Sequence, residues 1–99
     1  MKLALLVFNF IHDGEIRNLL QRLNVPGFTE IPQVYGTGES GKRFGTHAWP
    51  GHDTLIFSVL ADSQAETLAD AVERLKAGLG DRRKLGGLKL FLRNIERVV

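Results

Sequence analysis

Cysteine is missing from the chain, which excludes disulfides and thiolate metal sites and leaves a reducing cytoplasm open to it. An excess of one charge is missing too: 13 Lys and Arg against 11 Asp and Glu give +2, too little to imply a nucleic-acid partner. Long hydrophobic runs are lacking. The opening LALLVFNFI passes straight into His12-Asp13-Gly14-Glu15 with no small-residue cleavage site, so it reads as a strand and not as a secretion signal. No segment approaches membrane-spanning length. No histidine pairs with serine or carboxylates in a recognisable triad or acid/base dyad, so nothing argues for an enzyme.

What is present is the makeup of one globular domain over residues 1–99, with 43% hydrophobic and 24% charged residues and no room for a second core. A domain of this size buries only about two thirds of its unfolded surface, so association that covers more apolar area would help it. The small positive charge is uneven. Between Asp81 and Arg97, the cations Arg82, Arg83, Lys84, Lys89, Arg93 and Arg97 face only Asp81 and Glu96.

The stretch from Gly36 to Asp53, GTGESGKRFGTHAWPGHD, holds five of the eleven glycines, two of the three histidines and the only tryptophan. It has no apolar periodicity and reads as a long loop, and structureless loops beyond roughly a dozen residues are uncommon unless they bind something or are disordered. On either side the chain is strongly patterned. Leu3 to Ile11 is almost continuously apolar and predicts a central strand. Asp13 is placed to cap a first helix whose apolar face is Ile16, Leu19, Leu20 and Leu23. Phe28 to Tyr35 predicts a strand that Pro32 confines to an edge or a bulge. Leu55 to Ala61 predicts a second central strand, and Ser63 with Glu66 reads as a capping box before Leu68, Val72, Leu75 and Leu79. Leu88, Leu90 and Leu92 alternate with Lys89, Phe91 and Arg93, the pattern of another edge strand.

The order β-α-β-β-α-β, with two very apolar strands and two compromised ones, predicts an α+β, ferredoxin-like antiparallel sheet in spatial order 4-1-3-2 with both helices on one face. The other face of the two central strands would then meet water unless another subunit covers it, which predicts an oligomer. In this topology the turn at His12-Asp13, the Gly36 to Asp53 loop and the Gly78 to Gly87 connection emerge at one end of the sheet. That end combines glycine-rich backbone, the start of helix one and Arg82, Arg83 and Lys84, a combination suited to phosphate or another anion. The plainer alternative is that the glycines serve turns and the cations keep a loop solvated.

Literal motifs do not decide between these. Gly36 to Gly41 spells GxGxxG, and with Lys42 it imitates a P-loop, but no helix follows and Arg43 stands where Ser or Thr should hold magnesium. Lys42-Arg43-Phe44-Gly45 is similar to part of an RNA-recognition motif, yet it lies in the loop, and strand three offers only Phe57 for stacking. His47, His52 and Asp53 offer ligands for a divalent metal without matching a strong signature. Trp49, before Pro50-Gly51, is either an anchor for a partner protein or a pin that holds the loop.

Taken together, the element order, the apolar opening strand, the glycine-flanked long loop and the Gly-containing connection before strand four resemble the PII-like superfamily of trimeric signalling proteins over essentially the whole chain. Gly87-Leu88-Lys89-Leu90-Phe91 is similar to that family's G-x-K-x-F approach to strand four, and Gly45 to Gly51 looks like a loop signature of small PII-like proteins. The resemblance implies a cytoplasmic, non-enzymatic homotrimer that packs sheet to sheet. It implies an adenine nucleotide (ATP, ADP or AMP) in clefts between subunits, near Gly36, Gly38, Arg82, Arg83, Lys84, Gly87 and Lys89, with Lys89 the leading phosphate ligand. It also implies that the 36–53 loop contacts a target, a membrane transporter or an enzyme, through Lys42, Arg43, Phe44 and Trp49, without direct membrane insertion and without nucleic acid. The chain departs from nitrogen-regulatory PII proteins in having no tyrosine inside the long loop, since Tyr35 precedes Gly36. The alternatives are a trimer resembling the divalent-cation tolerance proteins, with metal at His47 and His52, and an adaptor that binds a protein without any ligand.

Overall fold

Near-continuous apolar sequence builds the two middle strands of a four-stranded sheet, and more polar sequence builds its edges. A computed structural model describes residues 1–38, 41–43, 51–79 and 88–99. Its elements are β1 (Lys2–Asn9), a single 3-10 turn (Phe10–His12), α1 (Asp13–Arg22), β2 (Thr29–Val34), β3 (Gly36–Gly38), β4 (Gly41–Arg43), β5 (Asp53–Leu60), α2 (Asp62–Leu79) and β6 (Lys89–Asn94). The main sheet has the order β2-β5-β1-β6 with every neighbouring pair antiparallel. This is the expected ferredoxin-like α+β arrangement, viewed from the opposite edge.

Side-chain alternation divides the sheet into two unlike faces. Ala4, Leu6 and Phe8 of β1 and Ile56 and Leu60 of β5 are buried against Ile16, Leu19 and Leu20 of α1 and Ala65, Leu68, Ala71 and Val72 of α2. Leu90 and Leu92 of β6 pack on the same core. On the other face Leu3, Leu5, Val7, Leu55 and Phe57 are only half-buried, and Ile31, Val59 and Phe91 are exposed. The register aligns them in rows: Thr29, Phe57, Leu5 and Phe91 form one, and Ile31, Leu55, Val7 and Lys89 the next. An apolar surface therefore crosses the whole sheet on the side away from the helices.

The edges follow their residues. The β2–β5 ladder slips between Ile31 and Val34, with Pro32 inside the slip, as a residue without an N–H requires. Arg17 of α1 donates to both carboxylate oxygens of Glu30 on β2, and this hydrogen-bonded charge raises the Arg17 pKa above its ordinary value. Helix α1 ends in a Schellman closure. Asn24 takes φ 56° and donates to Gln21, while Val25 N–H reaches back to the Leu20 carbonyl at 3.1 Å, and the Val25 side chain packs on the core.

Four local expectations need correction. The first strand stops at Asn9, because the Asn9 side chain accepts from the Ile11 N–H at 3.1 Å and turns Phe10–His12 into a 3-10 turn. Asp13 is the first helical residue and not the cap, and His12 before it makes no side-chain capping bond. The start of α2 is closed by Gln64, whose Oε1 accepts from the Ala61 N–H at 3.0 Å, so the cap lies two residues earlier than Ser63 and Glu66 place it. The 36–53 stretch is not loop throughout, since Gly36–Gly38 and Gly41–Arg43 pair as a two-stranded ribbon.

Candidate functional site

The register brings the ends of four strands to one pole of the sheet. Asn9 at the end of β1 and Val34 at the end of β2 both pair with Asp53 at the start of β5, and Lys89 at the start of β6 pairs with Val7. The β3–β4 ribbon follows β2 by a single residue at the same pole. The glycine-rich stretch and the basic connection to β6 therefore both have their roots beside the 3-10 turn.

Several contacts organise this pole. The Phe10 N–H donates to the His52 carbonyl at 3.0 Å, and the two rings stack with centroids 4.5 Å apart and planes 20° apart. Gly51 holds φ +96°, and a Cβ there would lie 3.7 Å from the Phe10 ring, so backbone freedom and not space requires glycine. His12 Nδ1 lies 3.2 Å from Glu15 Oε1. Thr54 is fully buried, and its hydroxyl donates to Asp13 Oδ1 at 2.7 Å with the Pro32 carbonyl 3.4 Å away. One side chain thus joins β5, the start of α1 and the β2 slip.

The sequence-predicted residues divide into three groups. Gly36, Gly38, Lys42 and Arg43 lie in the ribbon, where Gly36 pairs with Arg43 and Thr37 with Lys42 along the backbone. Lys89 is exposed at the pole, on the apolar face beside Val7. Phe44, His47, Trp49, Arg82, Arg83, Lys84 and Gly87 lie outside the described residues. His52, proposed above as a metal ligand, is stacked on Phe10, and among the described residues no three of His, Cys, Asp and Glu gather as a metal site would need. The start of α1 already carries Asp13 and Glu15 in its first turn. Its positive dipole end is answered by the protein's own carboxylates and has less to offer an external anion.

Lys76 escaped the sequence reading. It stands in the last turn of α2, and its Nζ donates to the Leu88 carbonyl at 2.8 Å, immediately before Lys89. The available signal was a cation one turn before a glycine-bounded connection, a position favoured by the helix dipole in any case.

No protein-family model matches the sequence, and no curated protein matches it. Solved structures do. The chain is similar to CPII, a nitrogen regulatory PII-like protein from Thiomonas intermedia K12 bound to ADP, AMP and bicarbonate, at 17% identity and a TM-score of 0.75, covering 95% of this chain and 84% of that one. CPII bound to ADP and bicarbonate matches equally well, and the apo form of CPII matches at 14% identity with a TM-score of 0.68. The fold is PII-like. The β3–β4 ribbon lies in sequence between the second and third strands of the main sheet, and Lys89 opens the last strand. No helix among the described residues is long and apolar enough to cross a membrane.

Proposed function

We propose that this protein is a non-enzymatic, cytoplasmic PII-like regulator, a single domain over residues 1–99 that assembles as a homotrimer through its open sheet face. An adenine nucleotide binds between subunits near Gly36, Gly38, Arg82, Arg83, Lys84, Gly87 and Lys89. The 36–53 loop, through Lys42, Arg43, Phe44 and Trp49, carries the outcome to a target protein. The observation that supports this reading best is the placement of Lys89: it is an exposed cation on an apolar face that one chain leaves open, and unlike Arg93 at the far end of β6 it stands at the pole where β1, β2 and β5 meet. A phosphate there would be held where a second copy closes over it. CPII, which shares the fold, is bound to ADP and AMP, and that makes adenine nucleotides the first effectors to test. For the loop to report occupancy, nucleotide must bind one loop arrangement more tightly than another, because equal affinity for both shifts nothing.

The test is a thermal-shift series with ATP, ADP, AMP and divalent metals. A ligand that binds only the native state at a hundred times its Kd adds about 2.7 kcal/mol of stability. The expected outcome is a rise in Tm with an adenine nucleotide that Lys89→Ala abolishes. A rise with metal alone that His47→Ala abolishes would replace the nucleotide reading by metal sensing, and no shift with any ligand would leave the loop as a ligand-free adaptor.

A further inference from the structure

Resting on that effector reading, we propose that Lys76 is a positioning residue for the nucleotide site: from the end of α2 it holds the Leu88 carbonyl and so sets where Lys89 is presented. Leu88 stands between residues 80–87, which lie outside the described structure, and the β6–β1 ladder, which begins at Lys89 opposite Val7. Two contacts fix the chain at this point. The Leu88 side chain is 1% exposed, inserted in the core, and its carbonyl accepts the Lys76 ammonium at 2.8 Å in a partly buried bond. With the side chain and the carbonyl of one residue both held, the next residue inherits its position. Strand alternation then turns Lys89 to the open face, opposite in sense to Leu88 and Leu90.

The choice of partner supports a positioning role. Holding a lysine costs side-chain entropy, and lysines that stabilise a surface usually meet a carboxylate. Among the described residues Lys76 meets a neutral carbonyl and is in no salt bridge. A charged donor makes such a bond stronger than a neutral one, and here it satisfies an acceptor immediately before an edge strand, outside the ladder that begins at Lys89. Lys76 leaves Lys89 free to meet an anion, since Lys76 is engaged through Leu88 and does not itself stand on the open face.

The experiment uses ADP as the probe, with its Kd measured by titration calorimetry on the full chain and on Lys76→Met, Lys76→Arg, Lys89→Ala and the Lys76→Met/Lys89→Ala double variant. Removing a charge-assisted bond that orients a ligand group predicts about tenfold weaker ADP binding for Lys76→Met, restored largely by Lys76→Arg. The double variant should bind no more weakly than Lys89→Ala alone. Unchanged binding by Lys76→Met, or losses that multiply in the double variant, would overturn the inference. Amide hydrogen exchange without ADP provides a second readout: Lys76→Met should speed exchange at Lys89 and Phe91, whose N–H groups face β1, and leave the middle of α2 and β1 as in the wild type. Unchanged exchange at those two amides, or faster exchange across the whole chain, would also overturn it. Wild-type protein that does not bind ADP would sink the effector reading, while the exchange pattern would still decide whether Lys76 holds the start of β6.

Discussion

Thr54 has no exposed surface, and its hydroxyl is committed to the Asp13 carboxylate, which the sequence assigns to capping α1. The carboxylate bridges to a strand instead of its own helix because β5 lays Thr54 beside the turn that precedes α1. Replacing Thr54 with valine keeps the volume and removes the donor. Loss of a hydrogen bond to a charged group predicts destabilisation of about 1–3 kcal/mol. Chemical denaturation should register a lower midpoint with an unchanged slope, and an unaltered midpoint would mean that water replaces the hydroxyl at no cost. Asp13 and Thr54 are 41 residues apart, so no local pattern could have paired them. The exposed place of Lys89 was legible because it alternates with Leu88 and Leu90. Lys76 was not, because its partner is a backbone oxygen that any residue possesses.

The helices and strands were more readable than their ends. Apolar spacing located both helices and all four strands of the main sheet to within about two residues, while terminal hydrogen bonds decided the boundaries. At α2 the decisive bond is from the Ala61 N–H to Gln64, so Gln64→Ala should lower stability by about 0.5–1 kcal/mol, whereas Glu66→Ala should leave it nearly unchanged. Thermal unfolding of the two variants side by side checks this, and equal losses would restore the Ser63–Glu66 box. The β3–β4 ribbon was missed for another reason: its strands pair through backbone groups and carry no apolar alternation to detect.

For the molecule as a whole, the proposed assembly runs through the open sheet face. Phe57 lies in its centre, opposite Thr29 on one side and Leu5 on the other, with Phe91 one strand further. Introducing a charge there by Phe57→Glu leaves the helix-side core untouched but places a carboxylate in any sheet-to-sheet contact, at a desolvation cost of several kcal/mol. Light scattering after size-exclusion chromatography should find the wild type trimeric at micromolar concentration and Phe57→Glu monomeric, with far-UV circular dichroism retained. A monomeric wild type would remove the shared cleft on which the proposed nucleotide binding depends.

The order of elements, the central place of the two most apolar strands and the edge position of the Pro32 strand could all be read along the chain, because each follows from side-chain periodicity or a missing N–H within a few residues. The meetings of Thr54 with Asp13, of Phe10 with His52 and of Lys76 with the Leu88 carbonyl could not. They depend on the register that the sheet adopts and on the side chains that distant elements bring to one pole, and that geometry exists only once the core has closed.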